Sequence, residues 1–167
     1  KAKYKNSIVS EKKKFLLIES KNLTIRIVDT GRNSLTGGRI RRIKKFVEND
    51  DYFHLTYGDG LSNINIKEQL LFHKKNKKIA TLTVVNAPHR YGVVKIKNNK
   101  VVNFAEKPKI EDAIINGGFF IINKKIFNYI KGDDDVFEKD QLSKLAKINQ
   151  LDTYTHRVLA FYRHTQR

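Results

Sequence analysis

The chain of 167 residues is long enough for one domain with a substantial core, and its hydrophobic fraction of 40% favours a globular protein over a disordered one. The absence of cysteine excludes disulfides and thiolate zinc sites, and the apolar runs are too short to span a bilayer. The net charge of +17 suits phosphate or nucleic-acid ligands, but the excess is mostly lysine accompanied by many Asn and Ile, and we favour a compositional bias of the genome as its cause.

Strand-like segments rich in Val, Ile, Thr and Phe alternate with helix-like segments along the chain. The alternation predicts an α/β protein with a three-layer sandwich, and the lack of a repeat or linker predicts a single domain over residues 1–167. A tight hairpin is expected at 97–100, because Asn tolerates positive φ. The predicted strands are 24–29, 52–57, 79–85, 92–97, 100–106 and 118–123, and the predicted helices are 39–49, 66–75, 124–130 and 139–148.

Two of the predicted helices have an apolar periodicity that indicates which face is buried. Helix 39–49 places its apolar residues on one face and its basic residues largely on the other. In helix 66–75, the side chains expected to point inward are Ile66, Leu70 and Leu71. Closer to the N-terminus, residues 15–18 followed by Lys21 and Asn22 are compatible with a strand and a turn.

Several features bear on where the protein acts and what it binds. No continuous apolar segment typical of a signal peptide occurs near the N-terminus, so a cytoplasmic protein is expected. The first residue is Lys1 rather than Met, which is compatible with a piece of a longer protein. The five histidines lack metal-ligand spacing, so a histidine metal site is not expected. Neither a membrane nor nucleic acid is expected as a partner, since no nucleic-acid-binding motif is recognisable.

The segment 56–60 reads TYGDG and lies between a predicted strand and a predicted helix. In open α/β sheets, ligands bind just outside the carboxyl ends of the strands. The flanking glycines allow close approach of a ligand and backbone dihedrals that are closed to other residues. Asp59 is therefore a candidate metal ligand, beside the ordinary alternative that Asp-Gly forms a turn.

Short motifs in a fixed order carry a resemblance to a known family. They are VDTG at 28–31, TGGR at 36–39, TYGDG at 56–60, RYG at 90–92, EKP at 106–108 and INGGFF at 115–120. In this register they resemble the sugar-phosphate nucleotidylyltransferases, and most closely the glucose-1-phosphate cytidylyltransferases, over about residues 24–155. The resemblance implies a truncated Rossmann-like nucleotidyltransferase fold with a mixed, mostly parallel sheet. It also implies conversion of CTP and glucose 1-phosphate to CDP-glucose and pyrophosphate, a step in sugar-nucleotide supply for lipopolysaccharide O-antigen, by a chain that is compatible with a homo-oligomer.

The same resemblance implies roles for individual residues. Asp59 would hold Mg²⁺, which takes one or two carboxylates together with phosphate oxygens and water. Glu106 would accept hydrogen bonds from sugar hydroxyls, and Lys107 would meet the sugar phosphate and, with Asp59, form the catalytic pair. The implied substrate-binding positions are Thr36, Gly37, Arg39, Gly58, Tyr91, Gly92, Glu106, Lys107, Asn116 and Gly117.

Each position also has a simpler structural explanation. The TGGR motif is placed just before a helix, where its glycines would let the backbone touch a flat base and the helix N-terminus would favour anions. Thr36 would equally serve as an N-cap, and Arg39 as a solvated cation. Glu106 and Lys107 would form an ion pair at a strand end, and the Asn-Gly of INGGFF would form a turn.

Two parts of the family pattern are not found in this sequence. The glycine-rich GGxGTRL loop has no counterpart in residues 1–23, and the second metal carboxylate falls on His164 or Gln166, according to the alignment. We therefore expect this chain alone to be inactive, marginally stable and prone to association through exposed apolar surface. We also expect it to bind CDP-glucose better than CTP. The alternative is a non-catalytic basic module that binds nucleotide or nucleic acid through charge, in which case binding would weaken steeply with salt.

Overall fold

The computed structural model describes residues 8–12, 15–86, 93–97, 100–105, 114–156 and 161–162. The chain divides into two compact units, one formed by Lys1–Asn49 and Phe127–Gln141, the other by Asp50–Ile126 and Leu142–Arg167. The described residues form strands and helices, and the largest sheet is mixed, so the predicted α/β class is confirmed, although strands and helices do not alternate regularly along the chain. That the whole chain forms one domain stays a prediction.

The first unit is built on a three-stranded antiparallel sheet whose last two strands are joined at Lys21 and Asn22, as predicted. The Phe15 ring meets the Phe46 ring edge-on, with centroids 5.2 Å apart, so one face of the sheet packs on the helical segment. The elements are β1 (Ile8–Lys12), β2 (Phe15–Ser20), β3 (Leu23–Val28), α1 (Thr36–Arg42) and α2 (Lys44–Val47).

The helical segment of the first unit is amphipathic, as its sequence predicts. Ile40 is buried, whereas the basic side chains of α1 and α2 are exposed. The helix begins at Thr36 rather than Arg39, and it is broken at Ile43 instead of running on to Asn49. The TGGR motif is therefore the first turn of the helix and does not precede it.

The second unit contains a four-stranded sheet in which β9 occupies an inner position. The strand order is β10-β6-β9-β4, with β10 parallel to β6, and β9 antiparallel to both β6 and β4. The expected predominance of parallel pairs is not seen among the described strands, because β9 runs against both of its neighbours. The elements of this sheet are β4 (Tyr52–Thr56), β6 (Ala80–Asn86), β9 (Ile114–Asn123) and β10 (Leu151–Thr155).

The core of the second unit is centred on β9. Phe120, Ile121 and Ile122 are consecutive and all at most 1% exposed, so both faces of the strand are covered. Successive side chains of a strand point to opposite faces, and a strand buried on both faces reads as a continuous apolar run. This agrees with a sheet lying between two layers.

Two predicted helices are shorter or less regular than expected. The predicted helix 124–130 is a short 3₁₀ helix, Lys124–Asn128. The predicted helix 139–148 is a π-helical turn, Phe137–Leu142, that leads into α4 (Ser143–Lys147).

Helix α3 (Ile66–Asn76) forms where the sequence predicts it but buries a different face. Gln69 and His73 are buried, whereas Ile66 and Leu71 are 58% and 68% exposed, so the prediction is wrong for these two residues. Leu70, the third residue predicted to point inward, is half-buried. The polar face is buried because it meets threonines of β6. Gln69 Nε2 donates to Thr83 Oγ1 at 2.6 Å, and His73 Nδ1 lies 2.7 Å from Thr81 Oγ1.

The remaining strands form two small antiparallel pairs. Strands β7 (Val93–Lys97) and β8 (Lys100–Ala105) pair with Lys97 opposite Lys100, which confirms the predicted hairpin, although its two turn residues lie outside the described part. Strand β5 (Gly60–Leu61) pairs with β11 (Phe161–Tyr162). None of the helices in the described part of the chain is long and apolar enough to cross a membrane.

Candidate functional site

The TYGDG segment runs from the end of β4 through a β-turn into β5. The Gly60 amide donates to the Tyr57 carbonyl at 3.3 Å, which places Gly58 and Asp59 at the two central positions of the turn. Asp59 is exposed at its tip. The turn explanation and the metal-ligand hypothesis are therefore compatible, because the turn presents the carboxylate to solvent.

The glycines of this turn do not have the backbone conformation that the sequence suggests. Among the described glycines, positive φ angles occur at Gly31 (81°) and Gly118 (76°), so the expectation of unusual dihedrals at Gly58 and Gly60 is wrong. A Cβ placed on Gly58 would meet no described atom within 4 Å. Gly58 therefore leaves open space at the turn position that precedes Asp59.

Asn116 lies in β9, and its side chain reaches the TYGDG turn. Asn116 Nδ2 donates to the Tyr57 hydroxyl at 3.2 Å, and Asn116 Oδ1 accepts the Gly118 amide at 2.8 Å. The Asn-Gly pair belongs to a strand, not to the turn that was its alternative explanation. Gly117 is buried, and a Cβ there would lie 3.2 Å from the Thr83 carbonyl oxygen, so close packing explains this glycine.

Thr36 binds within the first unit through its hydroxyl. Thr36 Oγ1 donates to Glu138 Oε2 at 2.9 Å and accepts the Phe137 amide at 2.9 Å. The N-cap position belongs to Leu35, whose side chain has no oxygen to offer, so the prediction of a Thr36 N-cap is wrong. Thr36 instead ties the first turn of α1 to the start of the π-helical segment.

Gly37 and Gly38 are buried against a backbone segment of the same unit. The Gly37 amide donates to the Asp135 carbonyl at 2.8 Å. A Cβ on Gly37 would lie 2.7 Å from Asp135 Cβ, and a Cβ on Gly38 would lie 2.5 Å from the Asp133 carbonyl oxygen. The close approach that these glycines permit is therefore to the protein's own backbone.

The arginines of α1 hold neighbouring segments through hydrogen bonds and ion pairs. Arg39 Nη1 donates to Thr30 Oγ1 at 2.8 Å, which fastens the VDTG motif to the helix. Arg41 Nη2 lies 2.8 Å from Asp133 Oδ1, and Arg42 donates to both carboxylate oxygens of Asp133. Hydrogen bonds from Arg42 and Arg41 hold the pKa of Asp133 well below its usual range.

The described residues contain no group of three or more His, Asp and Glu side chains that could hold a metal by itself. Mg²⁺ is commonly bound by one or two carboxylates together with substrate phosphates and water. An exposed carboxylate with open space beside it, as at Asp59, fits that donor set.

The structure brings together some of the predicted site residues and leaves others undescribed. Asp59, Gly58, Asn116 and Gly117 belong to the second unit, while the TGGR residues belong to the first. Tyr57, which is bonded to Asn116, was not predicted as a site residue, although its position beside Gly58 in the motif was a signal. The predicted site residues that lie outside the described part are Tyr91, Gly92, Glu106 and Lys107.

Comparison with known proteins agrees with the resemblance seen in the motifs. The family model described as "Nucleotidyl transferase" matches residues 7–164. The chain is 41% identical to the glucose-1-phosphate cytidylyltransferase of Salmonella typhimurium over 139 residues, which is 83% of this chain and 53% of that protein. The corresponding protein of Salmonella typhi matches with the same identity and coverage. The chain thus spans about half the length of the curated relatives it matches.

A solved structure shows the same fold at lower sequence identity. HddC from Yersinia pseudotuberculosis, complexed with GMP-PN, superposes with a TM-score of 0.57 at 23% identity, over 81% of this chain and 59% of that chain. At this identity the likeness concerns the fold alone. The family match covers nearly the whole chain, and the resemblance to sugar-phosphate nucleotidylyltransferases is confirmed: the chain belongs to the nucleotidyl transferase family of enzymes.

Proposed function

We propose that the protein is a glucose-1-phosphate cytidylyltransferase. A phosphate oxygen of glucose 1-phosphate would attack the α-phosphorus of CTP, and the bond to pyrophosphate would break, giving CDP-glucose and pyrophosphate. The observation that carries the proposal is the exposed Asp59 at the tip of the TYGDG turn, in a chain 41% identical to curated enzymes of that name. In such transfers the protein contributes mainly positioning and electrostatic stabilisation.

On the metal side, Asp59 would hold Mg²⁺ together with phosphate oxygens and water. When bound, the metal would neutralise charge on the triphosphate. The open space at Gly58, the residue that precedes Asp59, supports this role, because it leaves room for a ligand at the turn. The role of Asp59 would be to present one carboxylate oxygen to the metal in a fixed direction.

On the sugar side, the proposal rests on the sequence motifs. Glu106 would accept hydrogen bonds from sugar hydroxyls, and Lys107 would pair with the sugar phosphate. Asn116 and Gly117 would line the hexose pocket, with Tyr91 and Gly92 opposite them.

On the nucleotide side, the proposed residues are Thr36, Gly37 and Arg39. Gly37 is buried, so direct contact with the nucleotide would fall to Thr36 and Arg39, both of which are exposed. Cytoplasmic synthesis of a sugar nucleotide, with O-antigen as its destination, is part of the same proposal.

Calorimetric titration of CDP-glucose, with and without Mg²⁺, tests the proposal. CDP-glucose should bind more tightly than UDP-glucose, and Mg²⁺ should strengthen the binding. Asp59→Asn should remove the effect of Mg²⁺ while keeping the turn. The matched control is Asp50→Asn, which removes the same charge from another exposed aspartate of the second unit. A Mg²⁺ effect that survives Asp59→Asn would contradict the proposal, as would equal binding of the two sugar nucleotides.

A further inference from the structure

Tyr57 is tied to β9 through its backbone, its ring and its hydroxyl. Its amide donates to the Gly118 carbonyl at 3.4 Å, and its ring meets the Phe120 ring edge-on, with centroids 5.8 Å apart. Its hydroxyl accepts from Asn116 Nδ2 at 3.2 Å. These contacts hold the residue that opens the Asp59 turn, since the Tyr57 carbonyl accepts the hydrogen bond that closes it.

Asn116 is itself fixed, which makes it a firm support for the tyrosine hydroxyl. Its Oδ1 accepts the Gly118 amide at 2.8 Å, two residues along the strand. Gly118 adopts a φ of 76°, a conformation that a residue with a side chain rarely adopts. The second glycine of INGGFF therefore bends the strand where its backbone and the Asn116 side chain both meet Tyr57.

We propose that Tyr57 and Asn116 are positioning residues that fix the direction of the Asp59 carboxylate toward its metal. The inference rests on the proposed role of Asp59 and adds two residues that act through the turn. A carboxylate held in place loses less conformational freedom on binding than one on a mobile turn. Asn116, with both ends of its amide bonded to the protein, would thus support the metal side of the site in addition to lining the sugar side.

The Gly60 end of the turn is also held in place, by contacts that do not involve the Tyr57 hydroxyl. A substitution at Tyr57 should therefore affect only the other end of the turn. Gly60 belongs to β5 and lies opposite Tyr162 of β11. The Phe119 ring packs near Gly60, with Cζ 3.8 Å from the position that a Cβ would take. Loss of the Tyr57 hydroxyl should therefore loosen one end of the turn and leave the strand pairing at the other end intact.

The experiment compares Tyr57→Phe with wild-type protein and with Tyr154→Phe. Tyr154, on β10 of the same unit, is a matched control, because its hydroxyl also donates to a side chain, Glu68 Oε2 of α3 at 3.5 Å. Amide hydrogen exchange of Gly60 and Gly118 reports on the turn and the strand. Binding of Mn²⁺ in the presence of CDP-glucose, followed by electron paramagnetic resonance, reports on the metal site. Thermal unfolding shows whether each variant is folded.

Tyr57→Phe should exchange the Gly60 amide faster and bind Mn²⁺ about fivefold more weakly, the usual effect of losing one hydrogen bond. Its affinity for CDP-glucose without metal should not change, and Tyr154→Phe should match wild type in every measurement. Asn116→Ala, which removes the support of the hydroxyl, should reproduce the faster exchange and the weaker binding of Mn²⁺.

In Tyr57→Phe, unchanged exchange at Gly60, or an equal loss of CDP-glucose affinity with and without metal, would overturn the positioning role. Asn116→Ala is judged by exchange at Gly60 alone, because Asn116 is also proposed to line the sugar side. If wild-type protein binds neither Mn²⁺ nor CDP-glucose, it is the proposed function that fails. The Gly60 exchange rate then still shows whether Tyr57 and Asn116 hold the turn.

Discussion

The space around the glycines differs between two motifs of this chain. These motifs are Gly37-Gly38 in the first unit and Gly58-Asp59-Gly60 in the second. A Cβ on Gly38 would fall 2.5 Å from a backbone oxygen, whereas a Cβ on Gly58 would meet no described atom within 4 Å. The first motif is filled by the protein's own backbone, and the second is left open beside a carboxylate. Similar glycine-containing motifs therefore correspond to a packing contact in one unit and to a candidate ligand site in the other.

The strongest test of this comparison is to add a methyl group to each motif. Alanine is favoured over glycine inside a helix by about 1 kcal/mol, so Gly38→Ala would stabilise α1 if space were available. Because its Cβ would overlap the Asp133 backbone, we expect instead a loss of about 3 kcal/mol in the free energy of unfolding. Gly58→Ala should change that free energy by less than about 0.5 kcal/mol.

Urea unfolding of the two variants and of wild-type protein measures both effects. A stable Gly38→Ala variant would show that the segment at Asp133 moves aside easily, and the contrast between the motifs would disappear. A strongly destabilised Gly58→Ala variant would show that the TYGDG turn is closed as well.

These differences also explain which parts of the structure the sequence could predict. Strand positions follow from runs of Val, Ile, Thr and Phe, and each of the six predicted strands lies close to an observed one. The strands β1, β5, β10 and β11 were not predicted. Asp59 at a strand end was predictable for the same reason. The contacts of Gly37 and Gly38 were not, because their partner segment lies almost a hundred residues further along the chain.

The buried face of α3 was mispredicted for a related reason. Apolar periodicity assigns Ile66 and Leu71 to the core, but β6 presents Thr81 and Thr83 to this helix. Polar side chains can be buried in place of apolar ones when they form hydrogen bonds with each other, as Gln69 and His73 do with these threonines. Local periodicity contains no information about the polarity of the strand that a helix will meet.

The buried His73 makes the second unit sensitive to mild acid, independently of the open turn. The pKa of His73 is lowered to about 4, mainly by burial; Asp152 opposes the shift and the nearby His54 adds to it. The unfolded chain takes up a proton near pH 6.5 and the folded one only near pH 4, so stability should fall as the pH drops between these values. The loss should be about 2–3 kcal/mol.

The comparison of His73→Gln with His156→Gln isolates this effect. Urea unfolding at several pH values between 7 and 4 should give a flatter profile for His73→Gln, which has no imidazole to protonate. His156 bonds Asn63 at 3.0 Å in the same unit, and His156→Gln is the matched control for the replacement of a bonded imidazole by an amide. Equal slopes for all the proteins would mean that another group causes the acid sensitivity.

The smallest expected effect concerns Asp133, whose backbone fills the space at Gly38. Hydrogen bonds from Arg42 and Arg41 depress the pKa of Asp133, so its contribution to stability is fully present above its unfolded pKa, about 4, and declines gradually as the pH falls from there towards the lowered pKa of the folded state. The pairs are partly exposed, and salt should weaken them. Asp133→Asn should therefore reduce stability slightly at pH 7 and by a smaller amount at pH 3. Asp134→Asn, at the exposed neighbouring position, should leave stability unchanged at both values. The urea midpoints of both variants are measured at the two pH values. Equal changes in the two variants would mean that the Asp133 carboxylate does not hold its backbone against Gly38. The steric fit at that glycine would then be maintained by the backbone hydrogen bonds alone.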